Sequence, residues 1–149
     1  MGEDFHNSVN MQGPVCPVPH HHTDKIVIGH GSGGQMTKDL IQNIFYQHLG
    51  NAYLREGNDA ARITLINHEG QIAISTDSHV VSPLFYPGGD IGRLAVCGTV
   101  NDVCMLGANP VFLTAGFIIE EGFPMESLQG VLQSMAEACR EAGVQIVAG

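Results

Sequence analysis

The chain has 149 residues, of which 44% are hydrophobic and only 14% charged, with 19 glycines and a formal net charge of −9. This length is enough for one domain with a buried core. The acidic balance argues against nucleic acid and anionic membranes as ligands, because both are bound through basic patches and the six basic residues are scattered. The low charge predicts that part of the surface contacts a partner.

Two features predict a cytoplasmic protein without a membrane span. The longest strongly apolar run, residues 111–119, is far shorter than the roughly 20 residues that a bilayer-spanning helix requires. The first 24 residues contain no Lys or Arg and no long apolar block, so they do not have the pattern of a secretory signal.

The four cysteines do not follow the spacing of a disulfide framework or a zinc site. Cys97 and Cys104 fall seven residues apart on one predicted helix, which places their Cα atoms about 10 Å apart. A disulfide requires less than roughly 7 Å. We therefore expect Cys97, Cys104 and Cys139 to be buried thiols.

The N-terminal residues 1–24 are predicted to be a flexible tail, because they contain three prolines and no apolar period. The three consecutive histidines 20–22 could bind a divalent metal ion loosely, so a nickel-handling role stays open as the weakest alternative. The folded domain is predicted to span residues 25–149.

The domain is predicted to begin with a strand at residues 26–28, a glycine-rich loop at 29–34 and a helix over 33–49. Ser32 and Gln35 have the spacing of a capping box at the start of that helix. A β-hairpin is predicted next, with strands at 62–66 and 72–76.

The second half is predicted to contain two helices and two strands. Asp90 is expected to cap a helix over 91–106, which is apolar nearly all round, and residues 111–119 to form a strand. A third helix begins after Pro124 and ends at Gly143, before a strand at 144–148. The order β-α-β-β-α-β-α-β, with its hairpin, predicts an α+β fold: a mixed, largely antiparallel sheet with helices on one face.

The glycine-rich loop is the first candidate site. Gly31, Ser32, Gly33 and Gly34 lie between a strand and a helix, where backbone N–H groups and the helix dipole favour an anion such as phosphate. The alternative is a tight strand-to-helix turn. The pattern is not a P-loop, and the acidic residue that a dinucleotide fold requires is missing about 20 positions later.

Three carboxylates are candidates for holding Mg²⁺, which prefers one or two carboxylates together with substrate phosphates. Asp77 directly follows a predicted strand, although it could equally cap a turn. Asp102, next to Asn101, falls inside the apolar helix, where a buried carboxylate would require a partner. That partner could be a metal ion or a metal-linked water, or alternatively a neighbouring Arg or backbone amides. Asp59 precedes the hairpin. His79 is expected to be structural or merely adjacent to Asp77.

These motifs together resemble the HypE family of hydrogenase maturation proteins, relatives of aminoimidazole ribonucleotide synthetase and selenophosphate synthetase. The resemblance covers about residues 25–149. It rests on the runs His-Gly-Ser-Gly-Gly (30–34), Ser-Thr-Asp-Ser (75–78), Pro-Gly-Gly-Asp-Ile-Gly (87–92), Asn-Asp-Val (101–103), Gly-Ala (107–108) and Gly-Phe-Ile-Ile-Glu-Glu-Gly (116–122).

The resemblance implies an ATP-binding domain that dimerises through its sheet, in an ATP-dependent carbamoyl dehydratase of [NiFe]-hydrogenase maturation. It implies that Asp59, Asp77 and Asp102 hold Mg²⁺, with Asn101 beside them, and that Gly31, Gly33 and Gly34 lie over the nucleotide. It also implies carbamoyltransferase and iron-scaffold partners. Such enzymes dehydrate a carbamoyl group on their own C-terminal cysteine to a thiocyanate, whose cyanide passes to iron.

The chain departs from that family where it stops. The strand ending at Gly149 continues in the family into an Asp-Thr-Lys motif, a second domain and the acceptor cysteine, so we expect a fragment that is inactive alone and assign no catalytic residue. Two alternatives stay open: another ATP-dependent enzyme of the superfamily, or a module that only dimerises or docks to partners.

Overall fold

The computed structural model describes residues 24–58, 60–64 and 71–149. The chain enters the fold by pairing with the segment before the last helix: Lys25 forms an antiparallel bridge with Pro124, and the Ile26 N–H donates to the Phe123 carbonyl (2.8 Å). A 3₁₀ helix, Ile28–Gly31, follows at once. The predicted strand at 26–28 is therefore wrong, because the Val27 N–H donates to His30 Nδ1 (3.0 Å) and closes a turn.

The predicted first helix is present as one continuous helical segment. It consists of an α-helix α1 (Gln35–Leu40), a π-helical turn (Ile41–Phe45) and a short α2 (Tyr46–His48). The predicted capping box is wrong. Gly33 has a φ of +77°, and Ser32 Oγ donates back to the Gly29 carbonyl (2.8 Å), so the hydroxyl points away from the helix that begins at Gln35.

The predicted hairpin is not formed in its described parts. A 3₁₀ helix, Leu54–Glu56, is followed by residues 60–64 and 71–81 without strand structure, and the connecting residues 65–70 lie outside the described part. The apolar side chain of Ile74 is 83% exposed. No backbone ladder pairs residues 71–81 with another described residue, and Ser75 instead donates a side-chain hydrogen bond to Asp102 of a later helix. Apolar alternation alone therefore gave the wrong prediction.

The next helix begins where the sequence predicts. Strands β1 (Phe85–Tyr86) and β2 (Gly89–Asp90) form a small antiparallel pair that leads into α3 (Ile91–Met105). The buried Asp90 accepts hydrogen bonds from the backbone N–H groups of Gly92 (2.7 Å) and Arg93 (3.2 Å) through Oδ1. Its Oδ2 accepts the Ser134 hydroxyl of the last helix. Asp90 therefore caps α3 and joins it to its neighbour.

Asp90→Ala should lower the free energy of unfolding by about 2 kcal/mol, because it removes an N-cap and leaves the Ser134 hydroxyl without its partner. Asp90→Asn should cost less, since its amide oxygen still caps the helix. Urea unfolding followed by circular dichroism measures both losses. Equal losses in the two variants would contradict the capping role.

The core lies around the last helix, α4 (Met125–Ala142), which packs on α3 and on a parallel pair of strands. These strands are β3 (Phe112–Thr114) and β4 (Gln145–Ala148). The strand predicted at 111–119 is shorter because its partner β4 has only four residues. The predicted apolar face of α4 is confirmed as buried: Met125, Leu128, Val131, Leu132, Met135, Ala136 and Cys139.

The prediction of buried cysteines is confirmed for one of the three residues and wrong for the other two. Cys139 is buried against the core, whereas Cys97 and Cys104 on α3 are exposed, because α4 covers only one side of that helix. Burial raises the pKa of the Cys139 thiol to about 11, and the negative charge of a Cys97 thiolate adds to this effect. Apolar residues lie on every side of α3, but only the side that faces α4 is buried.

We expect Cys139 to resist alkylation in the folded chain. With a pKa of about 11, only on the order of a thousandth of this thiol is ionised at pH 8, and its burial also excludes the reagent. Peptide mass spectrometry after iodoacetamide treatment measures the rate in the folded chain and in guanidinium. Equal rates in the two conditions would contradict the burial.

The α+β class is confirmed, with one antiparallel and one parallel pair of strands in the described part of the chain. Of the helices within residues 24–58, 60–64 and 71–149, none is long and apolar enough to cross a membrane.

Arg93 of α3 and Glu141 of α4 form a bidentate pair of hydrogen bonds at the surface. These hydrogen bonds raise the pKa of the arginine and lower the pKa of the glutamate.

Candidate functional site

Asp77 and His79 form a close polar pair against α3. His79 Nε2 lies 3.1 Å from Asp77 Oδ2, and the Ser78 N–H donates to Asp77 Oδ1 (2.7 Å). The histidine side chain is 14% exposed and the aspartate 42% exposed, so the pair has a covered side and an open side. Each oxygen of the Asp77 carboxylate therefore has a polar neighbour, and the carboxylate stays accessible.

Gly98 of α3 makes room for this pair. A Cβ at this position would lie 2.8 Å from His79 Nε2 and 3.7 Å from Asp77 Oδ2, which is too close for the ring as it stands. A glycine inside a helix costs about 1 kcal/mol relative to alanine. The close approach of His79 gives a physical reason for a glycine here.

Asp102 lies one helical turn beyond Gly98, on the same flank of α3. Ser75 Oγ donates to Asp102 Oδ2 at 3.1 Å, so segment 71–81 contacts α3 through both Ser75 and His79. The expectation that Asp102 is buried is wrong, because it and Asn101 are exposed on the side of α3 that α4 does not cover. Asp77 thus lies beside the turn of α3 that contains Gly98, and Asp102 lies on the next turn of the same helix.

The chemistry of this flank fits Mg²⁺, which binds carboxylate, hydroxyl and water oxygens and leaves positions open for phosphate. Each carboxylate oxygen has two lone pairs, so the observed contacts leave acceptor capacity on both oxygens of Asp77 and on both oxygens of Asp102. The described residues contain no group of three or more His, Cys, Asp or Glu side chains that could hold a metal ion. Asp59, the third predicted carboxylate, lies outside them.

The glycine-rich loop is exposed at residues 31–34. The N–H of Gly33 donates to Thr37 Oγ1 (2.9 Å), and a Cβ at Gly31 or Gly33 would meet nothing within 4 Å. Gly31 borders a cavity of about 610 Å³ between α1, the π-helical turn, β4 and residues 115–119. The loop therefore leaves open space for a ligand next to its backbone.

The predicted site residues fall into two groups. The cavity is lined by Gly31 and also by Gly57 and Asn58, just before Asp59. Neither Asp77 nor Asp102 lines it, and within the described residues no hydrogen bond or ion pair joins them to the glycine loop. The structure thus brings Asp77 and Asp102 to one helix flank and the loop to a separate cavity.

Three contributors to the carboxylate flank had no assigned role in the sequence analysis. His79 was expected to be structural or merely adjacent, Ser75 was only part of a motif, and Gly98 was not singled out. A signal for Gly98 did exist: an isolated glycine within an otherwise regular helix indicates close packing or a functional contact.

The chain is similar to known proteins over most of its length. The family described as AIR synthase related protein, N-terminal domain, matches residues 57–149. Carbamoyl dehydratase HypE of Cupriavidus necator is 52% identical over 125 residues, which are 84% of this chain and 35% of that protein. The chain therefore spans about a third of the length of this relative.

Two solved structures have the same fold. Hydrogenase maturation protein HypE in complex with ATP aligns with a TM-score of 0.78 at 54% identity, over 83% of this chain and 36% of that one. HypE in a HypE–HypF complex aligns with a TM-score of 0.53 at 58% identity, over 74% of this chain and 34% of that one. The chain belongs to the AIR synthase related family, as an N-terminal domain of the kind found in HypE.

Proposed function

We propose that this chain is the nucleotide-binding part of an ATP-dependent carbamoyl dehydratase that matures [NiFe]-hydrogenases. The observation that carries the proposal is the oriented carboxylate flank formed by Asp77 and Asp102 on α3. The similarity to a HypE that was solved with ATP supports it. The chain matches about a third of such proteins, so the rest of the active site belongs to their remaining length.

In this proposal two groups of residues bind different parts of the Mg·ATP complex. Asp77 and Asp102 hold Mg²⁺ together with Asp59, and Asn101 lies beside them at the same flank of α3. The exposed backbone of Gly31, Ser32, Gly33 and Gly34 covers the phosphates. Since the described contacts place the loop and the carboxylates apart, we expect the nucleotide itself to bridge the two groups.

The proposed reaction is a dehydration that ATP makes favourable. The amide oxygen of a cysteine-bound carbamoyl group attacks the γ-phosphorus of ATP and releases ADP. The nitrogen then loses its two protons and phosphate leaves, which forms the nitrile of the thiocyanate. Mg²⁺ held by Asp77 and Asp102 would neutralise phosphate charge, and charge neutralisation and positioning supply most of the catalysis in phosphoryl transfer. The contribution of this chain is to bind and orient the nucleotide.

We also propose that the chain forms a homodimer through segment 71–81 and the end of α3. Large apolar side chains are exposed there: Ile72, Ile74, Val80, Met105 and Leu106. Val80 is 97% exposed, and an apolar surface of this kind is typical of an interface. Light scattering at tens of micromolar should give twice the mass of one chain. A monomer mass would contradict the dimer.

Within the proposed pathway the whole protein receives its carbamoyl group from a carbamoyltransferase and passes cyanide to an iron scaffold. The solved HypE–HypF complex supports a protein partner for a chain of this kind, namely HypF. A module that only dimerises or docks would have the same exposed apolar residues but no nucleotide site, so nucleotide binding separates the two functions.

Calorimetric titration of ATP into the chain, with and without Mg²⁺, tests the proposed function. We expect saturable binding that depends on Mg²⁺, because the carboxylates on α3 reach the phosphates only through the ion. AMP should bind much more weakly, since it lacks the β- and γ-phosphates. The absence of Mg²⁺-dependent binding would reject the nucleotide site and favour the docking module.

A further inference from the structure

We infer that His79 is the positioning residue of Asp77, and that Gly98 is a glycine because the histidine ring occupies the space of its side chain. This inference rests on the proposed function, since it assigns the residue that orients a proposed Mg²⁺ ligand. It starts from the largely covered His79 side chain, whose Nε2 lies 3.1 Å from Asp77 Oδ2.

The first step concerns the freedom of Asp77. The aspartate lies in a segment without backbone ladder contacts, and its side chain is 42% exposed, so on its own it would sample several rotamers. The Ser78 N–H donates a hydrogen bond to Oδ1, and His79 Nε2 lies 3.1 Å from Oδ2 and restricts the other carboxylate oxygen. A carboxylate that is held in this way binds a cation without first losing rotamer entropy.

The second step concerns what holds the histidine. Its ring lies against the backbone of α3 at Gly98, where any side chain would collide with Nε2, the atom that contacts Asp77. The ring is therefore packed between the backbone of α3 and the Asp77 carboxylate. A contact from the adjacent turn, between Ser75 and Asp102, fixes the same segment. Gly98 and His79 thus place Asp77 beside the helical turn that precedes Asp102.

The inference predicts that His79→Ala weakens binding of Mn²⁺ with ATP about tenfold, as is typical when a residue that supports a metal ligand is lost. His79→Gln should stay within about twofold of the original chain, because its amide nitrogen can occupy the position of Nε2. Gly98→Ala should weaken binding as much as His79→Ala, since the new Cβ displaces the ring. Alanine also favours the helix, so the thermal midpoint should be unchanged or higher.

Electron paramagnetic resonance of Mn²⁺ in the presence of ATP measures these affinities without requiring catalysis. The decisive comparison is His79→Ala in the original chain and in an Asp77→Asn chain. A residue that acts only through Asp77 loses its effect once the carboxylate is gone. Circular dichroism melts of each variant separate a loss of binding from a loss of fold.

The outcomes distinguish this inference from the proposed function. No binding of Mn²⁺ with ATP to the original chain would reject the proposed function and the positioning role with it. Weaker binding in Asp77→Asn but unchanged binding in His79→Ala would keep the function and overturn the inference. An equal effect of His79→Ala in both backgrounds, or no recovery with His79→Gln, would also overturn it.

Discussion

Asp77→Asn should weaken Mg·ATP binding by at least about tenfold, or about 1.4 kcal/mol, while the fold stays intact. The substitution keeps the shape of the side chain and an oxygen for the Ser78 N–H, but removes the negative charge that the ion requires. Because Asp77 is partly exposed and belongs to no helix or strand, little stability depends on it. Calorimetry gives the affinity, and thermal unfolding checks the fold.

Asp24→Asn is the matched control for this experiment. It makes the same change of net charge at an exposed aspartate next to the bridge between Lys25 and Pro124, with no described contact to α3. We expect its affinity for Mg·ATP to equal that of the original chain. If the two variants weakened binding equally, the effect of Asp77 would be general electrostatics rather than coordination of the ion.

Leu132→Ala should lower the free energy of unfolding by about 2–5 kcal/mol, the range for truncating a fully buried leucine. Leu132 has 0% exposure at the centre of α4, and its cavity would be enclosed by packed helices and strands. Since a domain of this size is stable by only about 5–15 kcal/mol, this loss removes a substantial fraction of its stability. Urea unfolding followed by circular dichroism measures the change.

The neighbouring position supplies the control. Gln133 is exposed on the same helix and makes a surface hydrogen bond to Glu137, so Gln133→Ala should change stability by no more than about 0.5 kcal/mol. A loss below about 1 kcal/mol in Leu132→Ala would mean that α4 is not the centre of the core.

The sequence predicted best where a pattern is local and one-sided. The apolar period of α4 identified its buried face because one stripe of an amphipathic helix has one core to meet. Asp90 was recognised as a cap because a cap depends only on the N–H groups that follow it. The α+β class followed from the order of such elements.

The sequence predicted less where the outcome depends on contacts distant along the chain. The all-round apolar pattern of α3 could not show that one flank is open, so Asp102 and Cys97 were expected to be buried and are exposed. Ser32 matched a capping box, but the turn at Gly33 points its hydroxyl elsewhere. His79 lies against Gly98, and no helical or strand periodicity in the sequence predicts a contact between these two positions.

In the proposed function, the carboxylates on α3 and the glycine loop bind one nucleotide through a metal ion. Paramagnetic broadening of the backbone amide signals, measured by NMR with substoichiometric Mn²⁺ and ATP, tests this arrangement. We expect selective loss of the signals of Asp77, Gly98 and Asp102, with weaker broadening at Gly31 and Gly33. Uniform broadening, or broadening confined to other parts of the chain, would contradict it.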